Sequence, residues 1–97
     1  MPAYVIVEID VQNPDGYAEY SPLATESVAR HGGRFLVRGG KNEVWEGEWA
    51  DRIVVLEFED LDAARAWYFS DDYQAAAAIR HRHSRARMIA VEAATPT

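Results

Sequence analysis

Three arginines and a group of aromatic residues are the side chains of this sequence best suited to hold a small organic anion. Arginine presents a planar fork of N–H donors that matches a carboxylate or phosphate, and aromatic walls exclude water and strengthen that attraction. Arg38 stands where an extended segment meets the glycine pair Gly39-Gly40. The candidate ligand-binding residues are Arg38, Arg52, Trp67, Tyr68, Ser70 and Arg80.

A second set of side chains could transfer a proton if the site is catalytic. Histidine titrates near neutral pH and suits a general base, and tyrosine donates a hydrogen bond. In this hypothesis Arg38 and Arg80 hold the anion, and Tyr68 or Tyr73 donates a hydrogen bond to it. His31 or Glu46 then moves the proton. The candidate catalytic residues are His31, Glu46 and Tyr73.

Each of these residues also has a purely structural interpretation. Glu46 and Arg52 stand six residues apart across a turn, where they would pair across a hairpin. Ser70 fits a helix N-cap, and Trp67 recurs at the helical spacing of a core residue. The residue types favour these interpretations for all four. For His31, a place at a helix C-terminus and a catalytic role explain the sequence equally well.

The stretch HGGRFLVRGG raises the question of phosphate binding, and its spacing argues against it. A P-loop needs G-x-x-x-x-G-K followed by serine or threonine, but Phe35 stands five residues before Gly40 and Asn42 follows Lys41. The glycine pairs therefore indicate a helix cap and a strand bend. His81 and His83 lie among arginines, a setting that favours a solvated helix end over a metal site. We expect no metal and no cofactor.

The composition excludes several classes of protein. A formal net charge of −6 disfavours a general nucleic-acid surface, and the absence of cysteine removes disulfides and thiolate chemistry. The opening MPAYVIVEIDV carries Glu8 and Asp10 inside its apolar run and lacks a positive start, so it predicts neither a signal peptide nor a membrane span. We expect a cytoplasmic protein with a single domain over residues 1–97, an ordered core of about 3–93 and a short C-terminal tail, AATPT.

Periodicity predicts the element order β-α-β-β-α-β. Alternating patterns predict strands over residues 4–11, 34–38, 52–59 and 87–92, with 43–45 also extended. One helix begins at Asn13 and ends at Gly32-Gly33, with a kink or restart at Ser21-Pro22. Asp60 and Ser70 begin two further helical segments. The order is that of an α+β ferredoxin-like fold, a four-stranded antiparallel sheet with helices on one face.

The sheet face without helices is predicted to be unusually apolar. The helices should cover Val5, Val7, Ile9, Phe35, Val37, Val54, Leu56, Phe58, Ile89 and Val91. The other face should carry Tyr4, Ile6, Leu36, Ile53, Val55, Met88 and Ala90, mixed with Glu8, Arg34, Arg38, Glu57 and Glu92. Because a large apolar patch on a small protein marks an interface, we expect a homodimer through this open face.

Four stretches together resemble a known family: HGGRFLVRGG, WEGEW, RIVVLEFED, and AWYFSDDYQ with the later Arg80. The chain resembles the domain of unknown function 1330 family from Tyr4 to about Glu92, itself similar to the dimeric α/β-barrel superfamily of ferredoxin-like proteins. The resemblance implies the fold and a face-to-face dimer, and no assigned reaction. It also implies recurring positions at Tyr20, Gly33, Arg38, Gly39, Glu46, Gly47, Arg52, Phe58, Ala63, Trp67, Ser70, Tyr73 and Arg80.

Two hypotheses of function remain open from the sequence. The first is a homodimer that binds a small anionic or aromatic organic molecule near Arg38, and that is a cofactor-free isomerase or oxygenase by analogy with its superfamily. The alternative is a non-catalytic dimerisation or interaction module whose charged residues only pair with one another. Substitution of Arg38 would separate the two, because it abolishes binding in the first case and lowers stability in the second.

Overall fold

The chain folds into one antiparallel sheet with helices on a single face, as the alternating patterns predict. The computed structural model describes residues 1–95. The four strands lie in the order β2-β3-β1-β4, all pairs antiparallel, so the predicted α+β ferredoxin-like fold is confirmed. The elements are β1 Ala3–Val11, α1 Pro14–Tyr17, α2 Tyr20–Arg30, β2 Arg34–Arg38, β3 Arg52–Phe58, α3 Leu61–Tyr68, α4 Asp71–His83 and β4 Ser84–Glu92.

The helix ends follow the capping residues of the sequence. Asp60 Oδ1 accepts the Ala63 N–H at 2.7 Å at the start of α3. Gly32, at φ 73°, ends α2 in a left-handed cap that only glycine adopts without strain. The first helix breaks between α1 and α2, just before the predicted Ser21-Pro22. Pro22 falls in the first turn of α2, where its missing N–H has no helical partner to lose.

A bulge in β2 changes which side chains reach the helices. Phe35 pairs with Leu56, but the next pair is Val37 with Val55, so Leu36 is the extra residue. The bulge moves Val37 to the open face and turns Arg38 toward the helices. Both predicted positions were therefore wrong. The bend was predicted at Gly39-Gly40, whereas the bulge lies earlier in the strand, at Leu36.

Strand β4 has the opposite phase to the predicted one. Its pairing with β1 puts Ile89 beside Ile6 on the open face and Met88 beside the buried Val7. The assignments of Ile89 and Val91 to the helices, and of Met88, Ala90 and Glu92 to the open face, were therefore wrong. The strand also begins at Ser84, because α4 ends at His83 without a connecting loop.

The segment from Gly39 to Asp51 leaves the sheet altogether. Residues 43–45, predicted to be extended strand, form no strand there. We call residues 39–51 the arm. Within residues 1–95, no helix is both long and apolar enough to cross a bilayer. The predicted tail AATPT begins at Ala93, whose N–H bonds the Pro2 carbonyl at 2.9 Å, and its last two residues lie outside the described part of the chain.

Candidate functional site

Arg38 lies at the end of β2 against α2, with its guanidinium on a polar stripe of that helix. Its Nη2 donates to Ser21 Oγ at 3.0 Å and to Thr25 Oγ1 at 2.6 Å. The guanidinium carbon stands 3.9 Å from the centroid of the Phe35 ring, an attractive cation–π arrangement. All of its hydrogen bonds to residues 1–95 run through Nη2. Nε and Nη1 of Arg38 are left for an acceptor from outside the chain.

Arg52 stands at the start of β3 on the same side of the sheet. Its Nε is buried and has no hydrogen-bond partner within residues 1–95. Gly39 makes room for it: the guanidinium occupies the place that a Cβ at Gly39 would take, and Gly39 adopts a left-handed φ of 68°. The glycine after Arg38 is therefore needed to seat the second arginine.

The two guanidinium groups line one cavity, and neither forms an ion pair within residues 1–95. The cavity has a volume of ≈ 30 Å³, the space of about one water molecule. Its walls are apolar core side chains and the aromatic residues Tyr17, Tyr20 and Phe35. Arg38 is exposed, so the cavity leads from the surface into the core. Two cations at one cavity repel each other unless an anion joins them.

A second buried polar cluster lies behind this cavity, between α2 and α4. The hydroxyls of Tyr20 and Tyr73 are 2.8 Å apart, and both residues are buried. Arg80, only 4% exposed, places its guanidinium carbon 5.8 Å from the centroid of the Tyr20 ring. Its Nε is buried without a partner among the described residues, and its Nη2 lies 3.4 Å from His81 Nε2.

Burial and neighbouring groups fix the protonation of this cluster. Burial raises the pKa of Tyr20 far above its ordinary value, and the neighbouring Tyr73 hydroxyl raises it further. Burial lowers the pKa of Arg80, but the hydroxyls of Tyr73 and Tyr20 outweigh it, and the net shift is upward. Tyr20 is therefore a neutral hydroxyl and Arg80 a fixed cation, and Tyr20 does not serve as a base at any ordinary pH.

His31 and Ser70 lie away from the cavity, where α2 meets α4. His31 Nε2 is 3.4 Å from Asp72 Oδ1, and Arg30 Nη1 donates to Asp72 Oδ2 at 3.1 Å. Ser70 Oγ accepts the Tyr73 N–H at 3.3 Å as the N-cap of α4 and donates to the Trp67 carbonyl. Both residues hold helices together in this structure, and neither lines the arginine cavity.

Trp67 and Tyr68 belong to a different pocket, under α3. Trp67 is 1% exposed, and its Nε1 donates to Ser27 Oγ at 3.1 Å. Tyr68 and Trp67 line a groove of ≈ 340 Å³ between α3 and β4, whose other walls include Met88 and Ala90. Trp67 and Met88 are also walls of the arginine cavity, so these two side chains separate the spaces.

Glu46 is exposed in the arm and has no ion pair with Arg52 within the described residues. The predicted hairpin pairing of these two side chains was therefore wrong. The arm separates them, because its residues leave the sheet instead of continuing it. No group of three metal-ligating side chains occurs within residues 1–95.

The structure thus brings together three of the predicted ligand-binding residues at this cavity, Arg38, Arg52 and Trp67. It adds three residues that the sequence analysis did not select for the site: Tyr20, Ser21 and Thr25. Ser21 and Thr25 are four residues apart on one helix, a spacing that puts them on one face and could have been noticed. Which residue of β2 points toward this face of α2 depends on the bulge, and the sequence gives no sign of where the bulge lies.

Comparison with known proteins agrees with the fold. The profile of a family described as domain of unknown function, DUF1330, matches residues 2–94. A protein of unknown function from Rhodopseudomonas palustris is similar in structure, with a TM-score of 0.77 and 17% identity over 98% of this chain and 84% of that one. No curated protein matches.

Two further solved structures bear on assembly and activity. A dimeric ferredoxin-like protein of unknown function from Jannaschia sp. has a TM-score of 0.73 and 16% identity over 96% of this chain and 100% of that one. SnoaB from Streptomyces nogalater, a cofactor-independent oxygenase, has a TM-score of 0.68 and 16% identity over 98% and 95%. At such identities the likeness concerns the fold.

Proposed function

The chain belongs to the DUF1330 family, and we propose that it binds a small organic anion in the cavity lined by Arg38 and Arg52. The observation that carries the proposal is the pair of guanidinium groups at one cavity without a carboxylate partner. The chain has 16 acidic residues against 10 lysines and arginines, so the lack of a partner is not a shortage of acids. A ligand carboxylate would supply the missing charge and an acceptor for the buried Arg52 Nε.

The surroundings favour an aromatic carboxylate over a small hydrophilic one. Tyr17, Tyr20 and Phe35 line the cavity beside the arginines, and Phe35 already stacks on Arg38. The cavity, at ≈ 30 Å³, is too small to hold an aromatic ring. The body of the ligand would lie toward the surface at Arg38 and displace or cover the small helix α1 that carries Tyr17.

Thermal denaturation with matched ligand pairs tests the proposal. Benzoate should raise the melting temperature and benzamide, which is neutral and nearly identical in shape, should not. Acetate should act more weakly than benzoate. Saturation at ten times Kd stabilises by about 1.4 kcal/mol, which for a domain of this size is a rise of several degrees.

The matched variants are Arg38→Gln and Arg82→Gln. Both remove one positive charge, but Arg82 is exposed on α4 and does not line the cavity. The benzoate response should disappear in Arg38→Gln and persist in Arg82→Gln. If the two variants respond alike, the anion acts through general charge screening, and the proposed site is refuted.

We further propose that the protein is a homodimer through the open sheet face. The face carries Ile6, Val37, Ile89 and Val91, each at least 36% exposed. Two of its arginines are paired with acids of the same face, in Arg34–Glu57 and Arg87–Glu8. Ile89→Asp should therefore yield a monomer in light scattering. A monomeric native protein, or an Ile89→Asp variant that is still dimeric, would contradict this interface.

The proposal concerns binding, and turnover is a separate question. SnoaB, a cofactor-independent oxygenase, shares the fold, so any bound aromatic acid should be incubated with the protein in air while substrate loss and oxygen uptake are followed. Consumption that Arg38→Gln abolishes would identify a cofactor-free enzyme. If no member of the anion panel changes the melting temperature of a stable dimer, the non-catalytic interaction module is the better description.

A further inference from the structure

The arm exposes three large apolar side chains that no other part of residues 1–95 covers. Trp45 is 87% exposed, Trp49 53% and Val44 51%. Trp45 alone offers on the order of 200 Å² of surface. Single exposed apolar residues need no explanation, but three within one short segment mark a contact surface.

Hydrogen bonds give the arm a defined shape in which these side chains point outward. The Gly39 N–H donates to the Ile53 carbonyl at 2.8 Å, and Asn42 Nδ2 donates to the Asp51 carbonyl at 2.9 Å. These two bonds close the base of the arm. Further out, Trp49 Nε1 donates to the Glu46 carbonyl at 3.0 Å, across a turn at Gly47 with φ 81°. The exposed indoles therefore belong to a built segment.

The apolar surface of the arm continues into the open sheet face. Trp49 lines a groove of ≈ 360 Å³ on that face together with Ile6, Ile53 and Ile89. Glu8 lines the same groove, and its Oε2 is buried with no partner among the described residues. A group that covers the groove would bury the three isoleucines and could donate to this oxygen. The arm and the open face are therefore one continuous surface.

We propose that the arm packs Trp45 and Val44 on a second copy of this chain, as an extension of the proposed sheet-face interface. The inference rests on that homodimer. A second copy fits this surface because the arm continues the apolar open face that the proposed homodimer would bury. A standard interface buries about 800 Å² on each partner, and Trp45 would supply about a quarter of it. Relatives with this fold are described as dimeric.

The dissociation constant of the dimer, measured by analytical ultracentrifugation, tests the proposal. Trp45→Ala should weaken the dimer by about 30-fold or more, the usual effect of truncating a tryptophan that is a hot spot of an interface. Phe69→Ala is the matched control, because Phe69 is an aromatic residue 70% exposed on the helical side. Its dissociation constant should stay within about threefold of the native value. Both side chains are exposed, so both variants should fold.

Acrylamide quenching of tryptophan fluorescence in a Trp49→Phe variant gives an independent readout. Only Trp45 and the buried Trp67 then emit, so quenching of the exposed component reports on Trp45. Trp45 should be quenched freely in dilute monomer and protected at concentrations where the dimer forms.

The outcomes separate the arm from the dimer. Suppose that the native protein is dimeric, that Trp45→Ala and Phe69→Ala have the same dissociation constant, and that Trp45 remains accessible to acrylamide. The arm then does not contact the second copy, and this inference is overturned while the sheet-face dimer stands. The arm would then be free for a different protein. If the native protein is monomeric, both fall.

Discussion

Substituting alanine at three glycines would test how the backbone seats Arg52. Gly32 and Gly39 both have left-handed φ values, 73° and 68°, which cost an L-residue about 1–2 kcal/mol. A Cβ at Gly32 or Gly40 would meet no heavy atom within 4 Å, whereas at Gly39 it would occupy the place of the Arg52 guanidinium. Gly40 has neither constraint. The three sites therefore separate backbone strain from displacement of the arginine.

The expected order is different for stability and for binding. Urea unfolding at one protein concentration should give losses of about 1–2 kcal/mol for Gly32→Ala and for Gly39→Ala, and less than about 0.5 kcal/mol for Gly40→Ala. The guanidinium is the far end of a flexible side chain, so its displacement adds little to the stability loss. The benzoate-induced rise in melting temperature should nevertheless fall only in Gly39→Ala. A full benzoate response in Gly39→Ala would refute the role given to Arg52.

Three further substitutions test the packing around the site. Tyr73→Phe leaves the buried Tyr20 hydroxyl without its 2.8 Å partner and should lower the unfolding free energy by about 1–3 kcal/mol in urea; a neutral result would mean that water replaces the bond. Ser27→Ala removes the acceptor of Trp67 Nε1 and should cost a similar amount of about 1–3 kcal/mol, with a changed near-ultraviolet circular dichroism of the indole; an unchanged spectrum would contradict the contact. Hydrogen bonding by Ser70, and to a lesser extent by Arg30 and His31, lowers the pKa of Asp72 below its ordinary 3.8. The ionised carboxylate therefore stabilises the fold above pH 3.8, and this contribution is lost as the pH falls from 3.8 toward the lower pKa of the folded state. The unfolding free energy, followed from pH 6 down to pH 3, should therefore fall more steeply for the native protein than for Asp72→Asn. Parallel curves would contradict the contacts of Asp72 with Arg30 and His31.

The element order and the caps were predictable because their signals are local. Asp60, Ser70 and Gly32 act at the positions where they occur in the sequence, and alternation is a property of each strand alone. These signals suffice for the ferredoxin-like order. The predicted site failed where it depended on pairing between distant strands.

Two misassigned faces show that dependence. In β4 both alternating sets contain apolar residues, and the prediction sent the larger residues Ile89 and Val91 to the core, although their set also contains Arg85 and Arg87. Pairing of Ala90 with Val5 decides the phase instead, and small Ala90 lies under α3. In β2 one extra residue, Leu36, turns Arg38 from the open face to the helices. A bulge of this kind has no signal in the local sequence, so the most important residue of the site was identified for its charge but placed on the wrong face.

The central claim, an anion site at Arg38 and Arg52, is tested most directly by the Nε–H resonances of arginine in a ¹H–¹⁵N NMR titration with benzoate. The Nε groups of Arg52 and Arg80 are both buried without partners, but only Arg52 lines the cavity. The variants Arg52→Lys and Arg80→Lys assign the two signals. The Arg52 signal should shift saturably with benzoate and not with benzamide, while the Arg80 signal stays in place. A stationary Arg52 signal, or an equal response to benzamide, would contradict the account.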